Sequence, residues 1–142
     1  MRELDVTVMS KNRFLIYFSQ EHERRVGVIR IWDPWETPVF NEIHPNSNVS
    51  ALCTVQFADS DSIERNGITD EQGKILAEFI KMSVNSGINE FIVHCYAGQS
   101  RSAGVAAAIL KYYNNDDFKI FNNIRYTPNM LCYRTVLRNL EL

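Results

Sequence analysis

Residues 89–113 place a short apolar run, a loop of small residues and a second apolar run directly one after another. The first run, NEFIVHC, ends at Cys95, and the second, SAGVAAAILKYY, begins at Ser102. The first predicts a buried strand, because it is short and rich in aromatic and β-branched residues. The second predicts a helix that is apolar on nearly all sides and is therefore buried. A buried strand that leads through a short loop into a buried helix indicates helices packed on a sheet.

The rest of the chain alternates between predicted strands and predicted helices. Strand patterns occupy residues 4–9, 25–32 and 51–57, and helix patterns occupy residues 10–18, 69–86, 116–123 and the stretch after Pro128. At the start of the helix pattern over 69–86, Thr69 and Gln72 are predicted to form a capping box. In the last helix, the residues expected to face inward are Met130, Leu131, Leu137 and Leu140. Residues 34–50 contain three prolines and no clear period, so a loop is expected there. The pattern predicts an α/β fold with a central, mainly parallel sheet of four to five strands flanked by helices.

The composition is that of an ordinary globular domain. Of the 142 residues, 45% are hydrophobic and 23% are charged, which suits a packed core and not a disordered chain. No repeat, low-complexity tract or linker divides the chain, so we expect one domain over residues 1–142. The net charge of −2 argues against a nucleic-acid partner, because broad affinity for nucleic acid needs a basic face.

The cysteines and the apolar runs indicate in which cellular compartment the protein is expected. No apolar run approaches the length of a membrane span, and the N-terminus lacks a signal-peptide pattern. We therefore expect a cytoplasmic protein without a membrane partner. Cys53, Cys95 and Cys132 are too few for a disulfide framework, and no CxxC pair indicates zinc. We expect no metal and no cofactor, with Cys53 and Cys132 as core residues; the oligomeric state stays open.

The loop after Cys95 has the residues of an anion-binding site. Gly98 permits backbone angles that turn successive N–H groups inward, and the helix that follows adds its N-terminus. The guanidinium of Arg101 can bind two oxygens of one phosphate. The residues predicted to bind phosphate are Tyr96, Ala97, Gly98, Gln99, Ser100 and Arg101. The loop is therefore predicted to bind a phosphate at the carboxyl end of a central strand, the usual ligand position in α/β sheets.

Cys95 is the candidate nucleophile of this loop. A helix N-terminus favours the thiolate form of a cysteine, and the thiolate is the reactive form. Ser102 can donate a hydrogen bond to the sulfur, which would also help the sulfur leave in a later step. His94 is expected to orient the loop and not to act as a base, because a thiolate needs no base.

The stretch HCYAGQSRS resembles the signature of the cysteine-dependent protein tyrosine phosphatases, HCxxGxxR followed by Ser or Thr, and is most similar to the small dual-specificity branch. The resemblance implies a phosphatase-like catalytic domain in which Cys95 and Arg101 are catalytic and a cysteinyl-phosphate forms. It implies phosphotyrosine in proteins or peptides as the substrate, with phosphoserine and phosphothreonine as further candidates.

The family also needs a general acid on a loop upstream of the cysteine, because the departing oxygen must be protonated. In the segment QFADSDSIE, Asp59 best matches the position of the general acid in the family, and Asp61 is the alternative. Arg125 falls near the position where relatives have a second arginine that contacts phosphate, with a solvated surface charge as the equal alternative, and Arg125 and Asn129 are the candidates for the edge of the substrate site. Pro128 and Asn129 match the branch, but the glutamine that follows there is absent, so the group that positions the hydrolytic water stays open.

Several alternatives remain at the level of sequence. The loop residues Tyr96, Ala97 and Gln99 are uncharged, which favours a singly phosphorylated side chain over a phosphoinositide, while an RNA 5′-phosphate stays open. A non-catalytic phosphate-binding module is a second alternative, and a rhodanese-like protein or arsenate reductase is a third. Asp33 precedes Pro34 and is expected to form a turn, with the bracing of a neighbouring loop as the alternative.

Overall fold

One four-stranded sheet organises the chain. The computed structural model describes residues 3–39 and 42–142. The strands are β1 (Asp5–Met9), β2 (Val26–Trp32), β3 (Val49–Gln56) and β4 (Glu90–His94). Their order in the sheet is β1-β4-β2-β3, and every neighbouring pair is parallel. The predicted α/β fold with a central, mainly parallel sheet is confirmed, with four strands in it.

Helices cover both faces of the sheet. They are α1 (Lys11–Tyr17), α2 (Asp70–Asn85), α3 (Arg101–Asn114), α4 (Phe118–Phe121) and α5 (Met130–Leu140), with a 3₁₀ turn at Ile63–Arg65. Side chains alternate across a strand, so β2 directs Ile29 and Ile31 into the core under α2 and α3. Val28 points to the opposite face, where it packs in the smaller core with Phe14 of α1.

The helix termini follow from local sequence. The Thr69 hydroxyl accepts from the Gln72 backbone N–H at 3.1 Å, and the Gln72 side chain accepts from the Thr69 N–H at 3.0 Å. This capping box starts α2 where the sequence predicts it. At the start of α5, Asn129 is the N-cap through a single hydrogen bond, because its Oδ1 accepts from the Cys132 N–H at 2.9 Å.

The inward face of α5 differs in part from the expectation. Leu140 is fully buried and Leu131 and Leu137 are half-buried, but Met130 is 40% exposed. The residues of α5 that are buried against its neighbours are Cys132, Thr135, Val136, Asn139 and Leu140. Their spacing of three or four residues defines the packed face. Met130 lies outside that face, which hydrophobicity alone does not reveal.

The helix α3 runs through the middle of the molecule. Its residues from Arg101 to Leu110 are all buried, as expected for a helix that is apolar on nearly all sides. A Cβ at Gly104 would lie 2.5 Å from the Asn129 carbonyl oxygen, so only glycine allows α3 to approach the start of α5 this closely. Within the two described ranges, no helix has both the length and the apolar character needed to span a membrane.

Candidate functional site

The candidate site lies at one edge of the sheet, where all four strands end. Because the strands are parallel, their carboxyl ends meet at that edge. Ser10 follows β1, Asp33 follows β2, Asp59 lies just after β3, and Cys95 follows β4. The topology therefore gathers residues from four separate parts of the chain around the loop between β4 and α3.

Neighbouring segments hold the carbonyl groups of this loop. The Tyr96 oxygen accepts from the Lys11 N–H at 3.0 Å, and the Gln99 oxygen accepts from the Thr127 N–H at 2.9 Å. The Ser100 oxygen likewise accepts from the Asn129 N–H at 3.0 Å. In the described parts of the chain, the N–H groups of Ala97, Gln99 and Ser100 donate to no protein acceptor. The loop thus turns its carbonyls outward and leaves amide donors for an anion.

Gly98 is required by this loop for two reasons. Its φ is +69°, in the left-handed region, and a Cβ at this position would lie 2.5 Å from the Ser10 backbone nitrogen. Its own N–H donates to Cys95 Sγ at 3.3 Å. The glycine therefore lets the loop pack against the end of β1 while one amide faces the sulfur.

Cys95 lies at the bottom of the loop with its sulfur held by polar groups. The residue is only 2% exposed, and its Sγ is 3.0 Å from the Ser102 Oγ. With the N–H of Gly98, the sulfur has two neighbours that can donate hydrogen bonds. Such donors stabilise a thiolate, and they are the expected setting for a nucleophilic or departing sulfur.

Arg101 is anchored by one end of its guanidinium. Its NH1 is 2.7 Å from Asp33 Oδ1 and donates to the Phe57 carbonyl at 2.8 Å. The residue is 5% exposed, and among the described residues its buried Nε finds no hydrogen-bond partner. A buried unpaired donor is costly unless something binds it. The unpaired Nε is a donor of the kind that binds the oxygens of a phosphate.

Asp33 is the residue of this site that the sequence interpretation undervalued. It does form the expected turn, because its carbonyl accepts from the Glu36 N–H at 3.0 Å. Its buried carboxylate also pairs with Arg101, which is the alternative that ranked second. A signal was available in the sequence: Asp33 directly follows a strand pattern, as Cys95 does, and parallel strand ends meet at one edge.

His94 lies beneath the loop and is almost fully buried. Its Nδ1 is 3.2 Å from the Cys95 carbonyl oxygen, and its Nε2 is 2.8 Å from Arg30 Nε. The pKa of His94 is lowered to about 4, chiefly by burial and also by the charges of Arg30 and Lys11, while the hydrogen bond to Cys95 acts in the opposite direction. The imidazole is therefore neutral at physiological pH, which agrees with a role in orienting the loop.

The loop that carries Asp59 is tied to the phosphate-binding loop. Asp59 Oδ1 accepts from Ser100 Oγ at 2.7 Å and from Asn129 Nδ2 at 2.9 Å. Asn129 Nδ2 also donates to the Ser60 carbonyl at 3.0 Å. Asp61 is exposed, and its carboxylate has no hydrogen bond to any described residue. Of the two candidate acids, Asp59 is the one in contact with the loop.

Two cavities flank the loop. A cleft of about 750 Å³ is bordered by Asp59, Asp61, Ser100 and Asn129. A smaller cavity of about 300 Å³ lies on the other side and is lined by Gly98, Arg125, Arg13 and neighbouring residues. Arg125 and Asn129, both expected at the edge of the substrate, thus border different cavities. Asn129 is only 8% exposed, and its amide is engaged by the Asp59 loop.

The two other cysteines lie in the core. Burial raises the pKa of Cys53 to about 11 and raises that of Cys132 as well. Both thiols are buried and free of disulfides. They are therefore protonated near neutral pH, in contrast to what the candidate nucleophile needs. Within the described ranges, no group of three or more His, Cys, Asp or Glu side chains is arranged to hold a metal ion.

No known family profile and no curated protein sequence matches the chain. Solved structures do match it. The PTP-2 phosphatase of Cydia pomonella aligns with a TM-score of 0.67 and 16% sequence identity, over 94% of this chain and 84% of PTP-2. Human DUSP28 aligns with a TM-score of 0.57 and 15% identity, over 96% of this chain and 91% of DUSP28. PTPMT1 aligns with a TM-score of 0.58 and 20% identity, over 96% of this chain and 90% of PTPMT1.

These three alignments extend along nearly the whole chain, at identities that define the fold alone. The resemblance stated from HCxxGxSRS is confirmed at this level. The chain has the α/β fold of the small cysteine-dependent protein tyrosine and dual-specificity phosphatases.

Proposed function

We propose that this chain hydrolyses phosphomonoesters through a cysteinyl-phosphate, with phosphotyrosine in proteins as its main substrate and phosphoserine and phosphothreonine as further ones. One observation carries the proposal. Cys95 Sγ lies at the bottom of a loop with free amide donors, beside a buried arginine whose Nε is unpaired among the described residues. An anion held there would present its phosphorus to the sulfur.

In the first step, the Cys95 thiolate attacks phosphorus, so that an S–P bond forms and the bond to the leaving oxygen breaks. Asp59 gives its proton to that oxygen as it departs. The two donors on Asp59, Ser100 Oγ and Asn129 Nδ2, both bond to Oδ1, which leaves Oδ2 to carry the proton. Arg101 and the loop amides stabilise the charge on the transferring phosphoryl group.

In the second step, water attacks the phosphorus of the cysteinyl-phosphate and the S–P bond breaks. Asp59, now a carboxylate, accepts the proton of this water, and phosphate leaves. The Ser102 hydroxyl, 3.0 Å from Sγ, donates to the departing thiolate. Asp59 also takes the role that the missing glutamine would otherwise have in orienting the water.

The phosphate-binding loop supports a protein substrate over a lipid substrate. PTPMT1, one of the structural neighbours, was solved in complex with PI(5)P, so the same fold can accept a phosphoinositide. In this chain the side chains of the loop between Cys95 and Arg101 are uncharged, which suits one phosphate on a neutral group. Arg125, at the smaller cavity, is proposed as a contact at the edge of the substrate.

The proposal is tested by measuring phosphate release from a phosphotyrosine peptide, a phosphoserine peptide, a phosphoinositide in vesicles and a 5′-phosphorylated RNA. We expect the highest kcat/KM on the phosphotyrosine peptide. The Cys95→Ser variant should release no phosphate but still bind vanadate, because the amide donors and Arg101 remain. Cys53→Ser, a change to a buried cysteine away from the loop, is the matched control and should keep its activity.

Other results of these measurements would change the assigned nucleophile, the substrate or the activity. Residual activity of Cys95→Ser within about tenfold of wild type, or about 1.4 kcal/mol of barrier, contradicts the nucleophile assignment. Preference for the vesicle or the RNA replaces the substrate and keeps the chemistry. A wild-type protein that binds vanadate and hydrolyses none of the four is a phosphate-binding module.

A further inference from the structure

Arg30 is a buried charged residue that the reaction steps above do not use. It belongs to β2 and is 0% exposed. Its guanidinium carbon lies 4.4 Å from the centre of the Phe14 ring and 4.4 Å from the centre of the Trp32 ring. An arginine enclosed by two aromatic faces is stabilised by cation–π attraction and is held in one position.

The donors of Arg30 connect two parts of the molecule. Its Nε donates to His94 Nε2 at 2.8 Å, directly below the phosphate-binding loop. Its other end donates to the Val39 carbonyl at 2.9 Å and to Glu42 Oε1 at 3.0 Å, in the segment between β2 and β3. Glu42 supplies the counter-charge that makes a buried guanidinium tolerable.

This contact determines where the proton of His94 lies. A guanidinium has no acceptor, so the bond at 2.8 Å exists only if His94 Nε2 presents its lone pair. In a neutral imidazole the proton is then on Nδ1, which lies 3.2 Å from the Cys95 carbonyl oxygen and can donate to it. The opposite tautomer would set an N–H against Arg30 and a lone pair against the carbonyl.

We propose that Arg30 is a positioning residue for the phosphate-binding loop: it holds His94 in the neutral tautomer protonated on Nδ1, and His94 in turn holds the backbone of Cys95. The effect on catalysis rests on the proposed phosphatase function. The tautomer itself does not, because it follows from the contacts of Arg30 and His94 alone.

The charges around His94 agree with a neutral ring. Arg30 from β2 and Lys11 from α1 both disfavour a second proton on it, whereas Glu36 favours one. Lys11 and Glu36 pair with each other at 2.8 Å, and Glu42 pairs with Arg30, which leaves direct contact with Arg30 as the main charge effect. With burial, these charges place the pKa of His94 at about 4.

The first test reads the tautomer directly in the wild-type protein, by NMR of the imidazole nitrogens. We expect His94 to show a protonated Nδ1 and an unprotonated Nε2, unchanged between about pH 5.5 and 8. His22 and His44, which lie outside the site, are internal comparisons in the same spectrum. A proton on Nε2, or titration of His94 within this range, overturns the proposal whether or not the protein hydrolyses any substrate.

The second test uses two variants of matched length. In Arg30→Gln the amide nitrogen is bonded to Cδ, where arginine has Nε, so one donor remains in reach of His94. Arg30→Met has similar length and no donor. Both lose the guanidinium and its bond to Glu42, so their difference isolates the donor to His94.

We expect Arg30→Met to lower kcat by about tenfold or more with little change in KM, and Arg30→Gln to rescue most of that loss. In the Met variant the NMR signals of His94 should show the Nδ1 proton lost from a fraction of the molecules. Equal kcat values for the two folded variants overturn the positioning role. If neither variant folds, the wild-type spectrum still decides the tautomer, and the Glu42→Gln variant, which keeps Arg30, replaces the two Arg30 variants. A change in the His94 signals of Glu42→Gln supports the coupling between Arg30 and His94. Unchanged His94 signals together with an altered kcat contradict that coupling.

Discussion

The carboxylate of Asp33 lies 2.7 Å from NH1 of Arg101 and joins the end of β2 to the first turn of α3. Both side chains are almost fully buried, so this ion pair is shielded from solvent. It uses one end of the guanidinium and leaves the Nε unpaired among the described residues. The pair therefore orients the arginine that is proposed to hold the phosphoryl group.

Asp33→Asn tests this orientation. Asparagine keeps an acceptor for Arg101 but removes the charge, which weakens the anchor and also leaves Arg101 more attractive to an anion. These effects oppose each other in the binding of vanadate, so we expect its Kd to change less than about threefold. In the transition state, orientation dominates, and kcat/KM should fall by about tenfold or more. Steady-state kinetics and vanadate titration check both values.

The control for this change is Asp70→Asn, which removes an exposed partner of Arg138 far from the loop. It should leave kcat/KM unchanged, because surface ion pairs contribute little. A folded Asp33→Asn variant with kcat/KM within about twofold of wild type would show that the Phe57 carbonyl alone suffices to hold Arg101.

The general acid is tested with Asp59→Asn and Asp61→Asn, each measured on two substrates. Asp59→Asn should slow the hydrolysis of a phosphotyrosine peptide by roughly 10²–10⁴-fold, because its basic leaving group needs a proton. An activated aryl phosphate should be affected much less. Asp61→Asn should change both rates little, since Asp61 is exposed and bonded to no described residue. If Asp61→Asn alone shows the loss that depends on the leaving group, the two roles are exchanged.

Gly98→Ala should disrupt the phosphate-binding loop. The new Cβ would lie 2.5 Å from the Ser10 nitrogen and would also sit at a positive φ. We expect activity to fall by at least about a hundredfold and stability by more than the roughly 1–2 kcal/mol of the backbone strain alone. Urea unfolding and kinetics measure the two effects.

Gly87→Ala is the matched control for that change. Gly87 also has a positive φ, of +98°, but a Cβ there would meet only the Arg25 side chain, at 3.5 Å. This variant should lose only about 1–2 kcal/mol of unfolding free energy and keep its kcat. Similar losses in both variants would mean that backbone strain, and not the packing of the loop on β1, makes Gly98 necessary.

The buried His94 should make stability depend on pH. The pKa of His94 is about 4 in the folded protein, below the value of about 6.5 in an unfolded chain, so the unfolded state binds the extra proton first. The neutral ring therefore contributes full stability above about pH 6.5, and this contribution is lost as the pH falls toward 4. Between about pH 7 and pH 5 the loss amounts to about 2 kcal/mol.

His94→Gln removes this contribution, because glutamine does not titrate. Urea unfolding of both proteins at the two pH values checks it, and the wild type should lose more stability on acidification than the variant. Equal losses would mean that His94 is accessible enough to be protonated in the fold.

The sequence by itself determined the parts of the site whose residues lie close together in the chain. The strand, the loop and the buried helix around Cys95 follow from the order of apolar and small residues over residues 89–113. The capping box of Thr69 and Gln72 also formed as predicted, because its hydrogen bonds span only three residues. Local geometry decides such features before any tertiary contact forms.

Only the tertiary structure decided how distant segments support that loop. The contacts of Arg30 with His94, of Arg101 with Phe57 and of Asn129 with Asp59 join residues 64, 44 and 70 positions apart. The strand order β1-β4-β2-β3 creates these contacts, and no local pattern encodes it. The sequence also does not distinguish a buried arginine from an exposed one. The role of Arg30 emerges only when the fold excludes water from its guanidinium and places His94, Glu42 and two aromatic rings around it.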